Sequence, residues 1–448
     1  MNDAPATTTP KSEDAGLAAR QGAHRLIAAV LTQKRALDEA FAQDAARGIL
    51  SKLAPADRGF ARAIATTTLR HVGALDLIIK KLLDKKLPPR AGVTQTILRA
   101  ALAEIFFMGV KPHAAVDVAV EAAAQDSDAL HFKSLVNAIL RRALREADTL
   151  RDGIDGERAA LQTWMWRSWI GTYGEIKTRE IIRSQMNEAP LDLSVKDPSS
   201  LADWATRLGA KALPTGSLRL HTSGRIEQLE GFDEGQWWVQ DAAAALPASL
   251  LGDVAGQDVL DLCAAPGGKT LWLASRGANV TALDRSAPRL ERLTQNLDRL
   301  SLRAEIIVED ATKFAPGRTW DKILLDAPCT ATGTARRHPD VLLLKSAADR
   351  DRLADLQARL LAHSATLLAV GGTLIFCTCS LEPEEGPKQI DAFLSSHPDF
   401  ARVPIRSDEI GGLAEAVTKS GDMRTLPCHW ADEGGLDGFF AARLTRLS

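Results

Sequence analysis

Two short stretches of the chain carry residue types that perform covalent chemistry. Asp326-Ala-Pro-Cys329 follows the run Asp321-Lys-Ile-Leu-Leu, and Thr378-Cys379-Ser380 follows Gly372-Thr-Leu-Ile-Phe-Cys. If these runs form neighbouring parallel strands, Asp326, Cys329 and Cys379 converge at one sheet edge. A carboxylate and two thiols brought together in that way suit nucleophilic catalysis. A buried cysteine is more commonly just a small apolar residue. Cys377 lies two residues deeper than Cys379 on the same strand face, and it takes that simpler role. So do Cys263 and Cys428 as far as thiol chemistry is concerned.

A third stretch, Asp258-Val-Leu-Asp261-Leu-Cys263-Ala264-Ala265-Pro266-Gly267-Gly268-Lys269-Thr270, reads as a buried strand, a tight turn and the start of a helix. Its glycines allow close backbone approach, and the helix N-terminus offers free N–H groups. A P-loop requires a glycine five residues before its Gly-Lys-Thr; Cys263 stands there. The G-x-G-x-x-G pattern of dinucleotide sites is also missing. A second strand, Ala278–Asp284, ends in an acid placed to accept from ribose hydroxyls, and a third, Ala304–Asp310, ends in another that can read an adenine amino group. Successive strand ends finishing in a turn or a carboxylate describe a nucleoside site without pyrophosphate. S-adenosylmethionine (SAM) fits this pattern best.

A methyl donor beside two thiols has a specific use. Carbon 5 of a pyrimidine is too poor a nucleophile to take a methyl group directly. A thiolate adding at carbon 6 makes carbon 5 enamine-like; after methyl transfer the carbon-5 proton leaves and the thiolate is eliminated. A carboxylate near ring nitrogen 3 stabilises the developing charge. The base must be splayed out of any stack to be reached, which a single-stranded or loop nucleic acid allows. The residues alone leave open which cysteine attacks.

The remainder of the chain must position these groups. From about 250 onward the pattern alternates strand and helix, with strands expected at 258–262, 278–284, 304–308, 321–326, 373–379 and 438–443. The fold expected for residues 241–448 is α/β, a Rossmann-like doubly wound sheet. Residues 1–14 read as a disordered tail. Residues 15–150 read as an all-α domain with Pro55, Pro88-Pro89 and Pro112 between helices. Residues 151–240 read as a small α+β connector, with strands at Leu191–Val195 and near Leu218–His221. Trp237-Trp238 is expected to open a helix beginning near Asp241.

The 448-residue chain carries a net charge of −2. Residues 1–150 hold 21 Lys and Arg against 16 Asp and Glu, and the remainder 34 against 41. The mildly basic N-terminal part is compatible with RNA. Five cysteines make no disulfide scaffold and none has zinc-ribbon spacing, so no metal and a reducing, cytoplasmic setting are expected. No run approaches the roughly 18 apolar residues of a membrane helix.

Arg20-Gln-Gly-Ala-His-Arg25, Asp57-Arg-Gly-Phe-Ala-Arg62 and Val136-Asn-Ala-Ile-Leu-Arg-Arg142 resemble the NusB-like RNA-binding domain. The stretch from Asp258 to Thr270, Asp326–Cys329, Arg336-Arg337-His338-Pro-Asp340, Thr378–Ser380 with Pro383-Glu-Glu385, and Asp437-Gly-Phe-Phe440 are similar in order and spacing to the Sun-type RNA (cytosine-5) methyltransferases. Two positions depart from that pattern: Thr330, where serine is frequent, and Gly386, where asparagine is usual. The resemblance implies Cys379 as nucleophile, Cys329 as the thiol that helps release product, and Asp326 beside them. In DNA cytosine-5 methyltransferases the Pro-Cys cysteine attacks, which would point to Cys329. The resemblance also implies SAM held by Cys263, Ala264, Ala265, Pro266, Gly267, Gly268, Lys269, Asp284, Asp310 and Asp326. Arg336, Arg337 and His338 are expected to meet RNA phosphate. The expected reaction is cytosine-5 methylation of 16S rRNA by a monomer that takes no DNA. tRNA cytosine as acceptor and a non-catalytic RNA-binding assembly factor are the alternatives.

Overall fold

The computed structural model describes residues 12–221 and 225–448, which divide into two compact units. One runs to Trp166 and includes His338–Leu344; the other comprises Arg167–Arg337 and Lys345–Ser448. Of the expected tail, residues 1–11 lie outside the described residues, and Ser12 already opens the first helix.

The first unit is helical. Its principal helices are α1 (Ser12–Leu31), α2 (Leu37–Arg47), α3 (Pro55–Arg70), α4 (Val72–Leu82), α5 (Thr94–Phe107), α6 (Pro112–Gln125) and α7 (Lys133–Arg145). Apolar residues at helical spacing build two cores. Leu26, Ile27, Ile64 and Leu69 belong to one; Leu75, Ile78, Leu98, Leu102, Val136 and Leu140 belong to the other. Arg20 and Glu104 form a buried bidentate pair between α1 and α5, with N–O distances of 2.5–3.0 Å. The unit continues past the boundary expected at 150. The Lys81 ammonium donates to the Gly153 carbonyl at 2.5 Å, and a Cβ on Gly73 would lie 1.9 Å from the Ala159 carbonyl oxygen. Residues 147–160 are thus packed on α4.

The second unit holds two sheets. The smaller is antiparallel, in the order β2 (Lys211–Ala212), β3 (Ser217–Leu220), β1 (Leu191–Val195), β4 (Trp237–Val239). Trp237 and Trp238 therefore lie on a strand. The helix α8 (Ala242–Ser249) starts only after Asp241, whose carboxylate caps it at the Ala243 N–H. Both indoles are buried, which accounts for the extended backbone: alternate faces of one short strand serve two different cores.

The larger sheet contains β5 (Asp258–Leu262), β6 (Asn279–Asp284), β7 (Glu305–Val308), β8 (Trp320–Asp326), β9 (Leu368–Thr378), β10 (Phe400–Arg402), β11 (Met423–Arg424) and β12 (Phe440–Arg446). Its order is β10-β12-β9-β8-β5-β6-β7, with β11 also paired to β12. Strands β5 to β9 are parallel, and β12 runs antiparallel to β9. The order reverses direction between β5 and β8, and at such a switch point the strand ends open a crevice. Helix α9 (Gly268–Ser275) follows β5, and α10 (Ala287–Leu300) buries Leu290, Leu293, Leu297 and Leu300 on one face. Helix α11 (Ala347–Leu367) starts from a capping box between Ser346 and Asp349.

Candidate active site

The chain leaves β5 through a turn whose geometry is fixed by packing. Cys263 takes φ +60°, and Gly267 takes φ +109°. A Cβ on Gly267 would lie 2.3 Å from a Leu293 methyl carbon, so only glycine allows α10 this close. Gly268 then starts α9. The Asp284 carboxylate accepts from the Ala265 N–H at 3.2 Å and from Ser286 N–H at 2.9 Å, tying the β6 end to this turn.

A cavity of about 320 Å³ opens where β5, β6 and β8 end. Cys263, Ala265, Asp284, Asp310, Asp326, Cys329 and Cys379 all line it. Its volume lies in the range of small-ligand sites. Ala264, Pro266, Gly267, Gly268 and Lys269, also expected at the SAM site, do not line the cavity; they form the turn and the start of α9 next to it. The Lys269 ammonium donates to Asp326 Oδ2 at 2.7 Å and lies 5.0 Å from the centre of the Phe439 ring. Burial alone would depress this lysine's pKa, but the Asp326 carboxylate more than offsets it and keeps Lys269 charged.

Asp261 is fully buried one layer beneath. Its Oδ2 accepts from the Thr270 hydroxyl at 2.6 Å, while its Oδ1 has no protein partner. Burial pushes its pKa up to about 7. The three carboxylates on the cavity wall, Asp284, Asp310 and Asp326, are the acceptors that a nucleoside with an amino-acid tail would meet. The residues fit SAM.

Register places the thiols. Asp326 is the partner of Cys377 across β8 and β9, and Cys377 Sγ lies 3.5 Å from Asp326 Oδ1. Cys377 is buried below the edge, with its thiol pushed well above the usual range, first by burial. Beyond the strand ends, Cys329 and Cys379 bring their sulfurs to 3.5 Å. The Cys329 thiol is held well above its ordinary pKa by that contact with Cys379 and by burial. Cys428 lies away from the cavity, half-buried, with its pKa raised by burial to about 11.

The expectation that Arg336 and Arg337 reach RNA phosphate is corrected by their surroundings. Arg336 is 1% exposed, pairs with Asp241 and Asp437 at 3.2 Å each, and donates to the Gly434 carbonyl. Arg337 donates to Asp241 at 2.8 Å and to the Pro190 carbonyl at 3.0 Å. Three buried acids, Asp192, Asp241 and Asp437, explain why two adjacent arginines turn inward; Arg219 completes the cluster on Asp192 at 2.7 Å. His338 belongs to the helical unit and stands half-exposed, 3.5 Å from Asp38.

Sequence reasoning missed several wall residues. Arg285 and Arg289 line the cavity, and Arg289 donates to the Ala265 carbonyl. Their place just after the β6 acid was the available signal. Leu356 and Leu360 arrive from α11, and only the tertiary packing brings them there.

Residues 248–445 match the family described as 16S rRNA methyltransferase RsmB/F, and residues 17–145 match the NusB family. A ribosomal RNA small subunit methyltransferase B from Pseudomonas putida is 36% identical over 96% of this chain and 98% of its own. The chain belongs to the RsmB/F family of 16S rRNA methyltransferases. The corresponding protein of Xanthomonas campestris is 35% identical, covering 97% of this chain and 98% of its own. Among solved structures, a methyltransferase homologue from Pyrococcus horikoshii is 26% identical, with a TM-score of 0.53 over 66% of this chain and 97% of its own. The fold is shared with NSun6 from the same organism, solved with SFG, at 18% identity and a TM-score of 0.54 over 64% of this chain and 99% of that one. The RsmB/F chain is thus a SAM-dependent methyltransferase acting on RNA, with a NusB-like helical region before its catalytic unit. No helix among the described residues is long and apolar enough to cross a membrane.

Proposed function

We propose that the chain methylates carbon 5 of a cytosine in 16S rRNA through a covalent thiol adduct. The observation that carries this reading is the 3.5 Å approach of Cys329 and Cys379 on the wall shared with Asp326. Methylation of an exocyclic amine requires no thiol, whereas carbon 5 requires a nucleophile at carbon 6. SAM supplies the methyl group as an electrophile when bound.

In this reading Cys379 adds to carbon 6, and Asp326, fixed by Lys269, faces ring nitrogen 3 as charge develops there. Cys329, whose raised pKa keeps it a neutral thiol, stands beside the adduct to assist release of the methylated product. Cys263, Ala265, Asp284 and Asp310 hold the nucleoside part of SAM, and the turn from Ala264 to Lys269 shapes its floor. The helical region recruits RNA, with the half-exposed His338 as a phosphate contact. The protein works as a cytoplasmic monomer on RNA rather than DNA.

The test is transfer of a tritiated methyl group to 16S RNA free of ribosomal proteins, followed by nucleoside analysis. Wild type is expected to label 5-methylcytidine. Cys379→Ala is expected to lose at least 1,000-fold in rate while still binding SAM, an effect of the size seen when a nucleophile is removed. Cys329→Ala is expected to accumulate a protein–RNA adduct that survives denaturation. Normal turnover by the Cys379 variant would transfer the attacking role to Cys329. Label found on tRNA alone would overturn the substrate and keep the chemistry.

A further inference from the structure

Glu385 is a buried carboxylate with no part in the reaction as described, yet both cysteine loops end on it. Its Oε1 accepts from the Thr330 N–H at 2.9 Å and from Gln357 Nε2 at 3.2 Å. Its Oε2 accepts from the Thr330 hydroxyl and, at 2.6 Å, from the Ser380 hydroxyl. Thr330 is the residue after Cys329, and Ser380 is the residue after Cys379. The same Gln357 also donates to the Pro328 carbonyl at 2.8 Å, on the other side of Cys329. The Thr378 hydroxyl donates to the Glu385 carbonyl oxygen at 2.8 Å, on the other side of Cys379. Each cysteine is therefore bracketed by residues hydrogen-bonded to Glu385 or to its partner Gln357.

A close backbone approach completes the clamp. The Gly333 N–H donates to the Cys379 carbonyl at 2.9 Å, and a Cβ on Gly333 would lie 2.8 Å from that oxygen. Two loops that are far apart in sequence are thus joined through the Glu385 side chain and the Gly333 contact, beside a direct Thr330–Ser380 hydroxyl contact at 3.1 Å and the Thr332 hydroxyl, which accepts from the Leu381 N–H at 3.0 Å. Burying a carboxylate is unfavourable unless every lone pair is used. Here four donors converge on it, and burial still raises its pKa.

We propose that Glu385 is a positioning residue: it fixes the separation and orientation of the Cys329 and Cys379 thiols by tying together the residues that follow them. This rests on the two-thiol reading of the site, but it makes a claim about geometry that is measurable without RNA. Thiols held at 3.5 Å with a fixed orientation cross-link readily. Diamide takes two electrons and two protons from a thiol pair, becoming the hydrazine as two S–H bonds break and one S–S bond forms.

The experiment uses the full-length chain. The rate at which diamide forms the Cys329–Cys379 disulfide is followed by alkylation and peptide mapping for wild type, Glu385→Ala and Glu385→Gln. SAM binding and thermal unfolding report whether each variant is folded. Methyl transfer to 16S RNA is measured in parallel.

Glu385→Ala is expected to slow cross-linking at least fivefold and to lower kcat at least tenfold, with KM for SAM within twofold of wild type. Glu385→Gln keeps the length and one acceptor, and it is expected to fall between the two on both readouts. It carries the test if the alanine variant does not fold. Cross-linking in both variants within twofold of wild type would overturn the proposal, whatever happens to turnover. Slowed cross-linking in a protein whose wild type labels no RNA would leave the positioning role standing and sink the assigned reaction instead.

Discussion

Asp261 lies fully buried beneath the cavity, where one carboxylate oxygen is held by the Thr270 hydroxyl and the other has no protein partner. Its place in the strand ahead of the glycine turn was legible, because an acid within an apolar run is conspicuous. Its isolation was not, since the sequence does not show that Oδ1 faces no protein donor. Burial raises its pKa from 3.8 to about 7. An acid with a raised folded-state pKa holds its proton more tightly when folded. Its contribution is therefore fully present below about pH 4 and is lost as pH rises to about 7. The span of roughly three pH units corresponds to at most about 4 kcal/mol. Asp261→Asn keeps an acceptor for Thr270 and removes the charge. It is expected to raise the unfolding temperature at pH 8 and to match wild type near pH 4, as followed by circular dichroism. Parallel pH–stability curves for the two proteins would show that this carboxyl titrates normally.

At the scale of elements, periodicity found the parallel strands because each is an apolar run between turn signals. It failed where tertiary pairing decides. Trp237-Trp238 reads equally well as helix or strand until β1 is placed beside it, with Val195 opposite Trp237. Arg336 and Arg337 read as surface charge because Asp192, Asp241 and Asp437 come from three distant segments. That cluster ties the loop after Cys329 to the start of α8 and to the turn before β12. Removing one partner of a buried pair leaves the other charges uncompensated, at a cost of about 3–5 kcal/mol. Arg336→Ala is therefore expected to lower the unfolding midpoint in urea markedly. Arg337 is more exposed, with about a quarter of its side chain open, so its alanine variant is expected to lose less. An Arg336 variant of unchanged stability but weakened RNA affinity would restore the phosphate role.

For the molecule as a whole, the helical unit is not contiguous in sequence. The compact unit runs on to Trp166, past the expected domain end at 150, because the short helices Ala147–Asp152 and Gly156–Ala160 pack on it while carrying too little apolar periodicity to be assigned to either side from sequence. Its last piece, His338–Leu344, comes from within the catalytic half of the chain, and no local pattern announces that. Asp340 Oδ2 accepts from the buried Leu37 N–H at 3.0 Å, satisfying a donor that the start of α2 leaves free. Gln162 Nε2 donates to the Leu342 carbonyl at 2.7 Å, and Leu343 and Leu344 pack on the core of α1 and α3. Full burial of a leucine contributes about 1.5–3 kcal/mol. Two partly buried leucines and one buried hydrogen bond then sum to about 2–4 kcal/mol. A fragment of residues 12–166 is expected to fold with a depressed midpoint of unfolding. The same fragment carrying residues 338–344 on a flexible linker is expected to recover most of the difference. Asp340→Ala within the linked fragment should remove part of that gain by leaving the Leu37 N–H unpaired. Equal stability with and without the segment would show that the helical core is complete at Trp166 and that the segment rests on it without contributing to its folding.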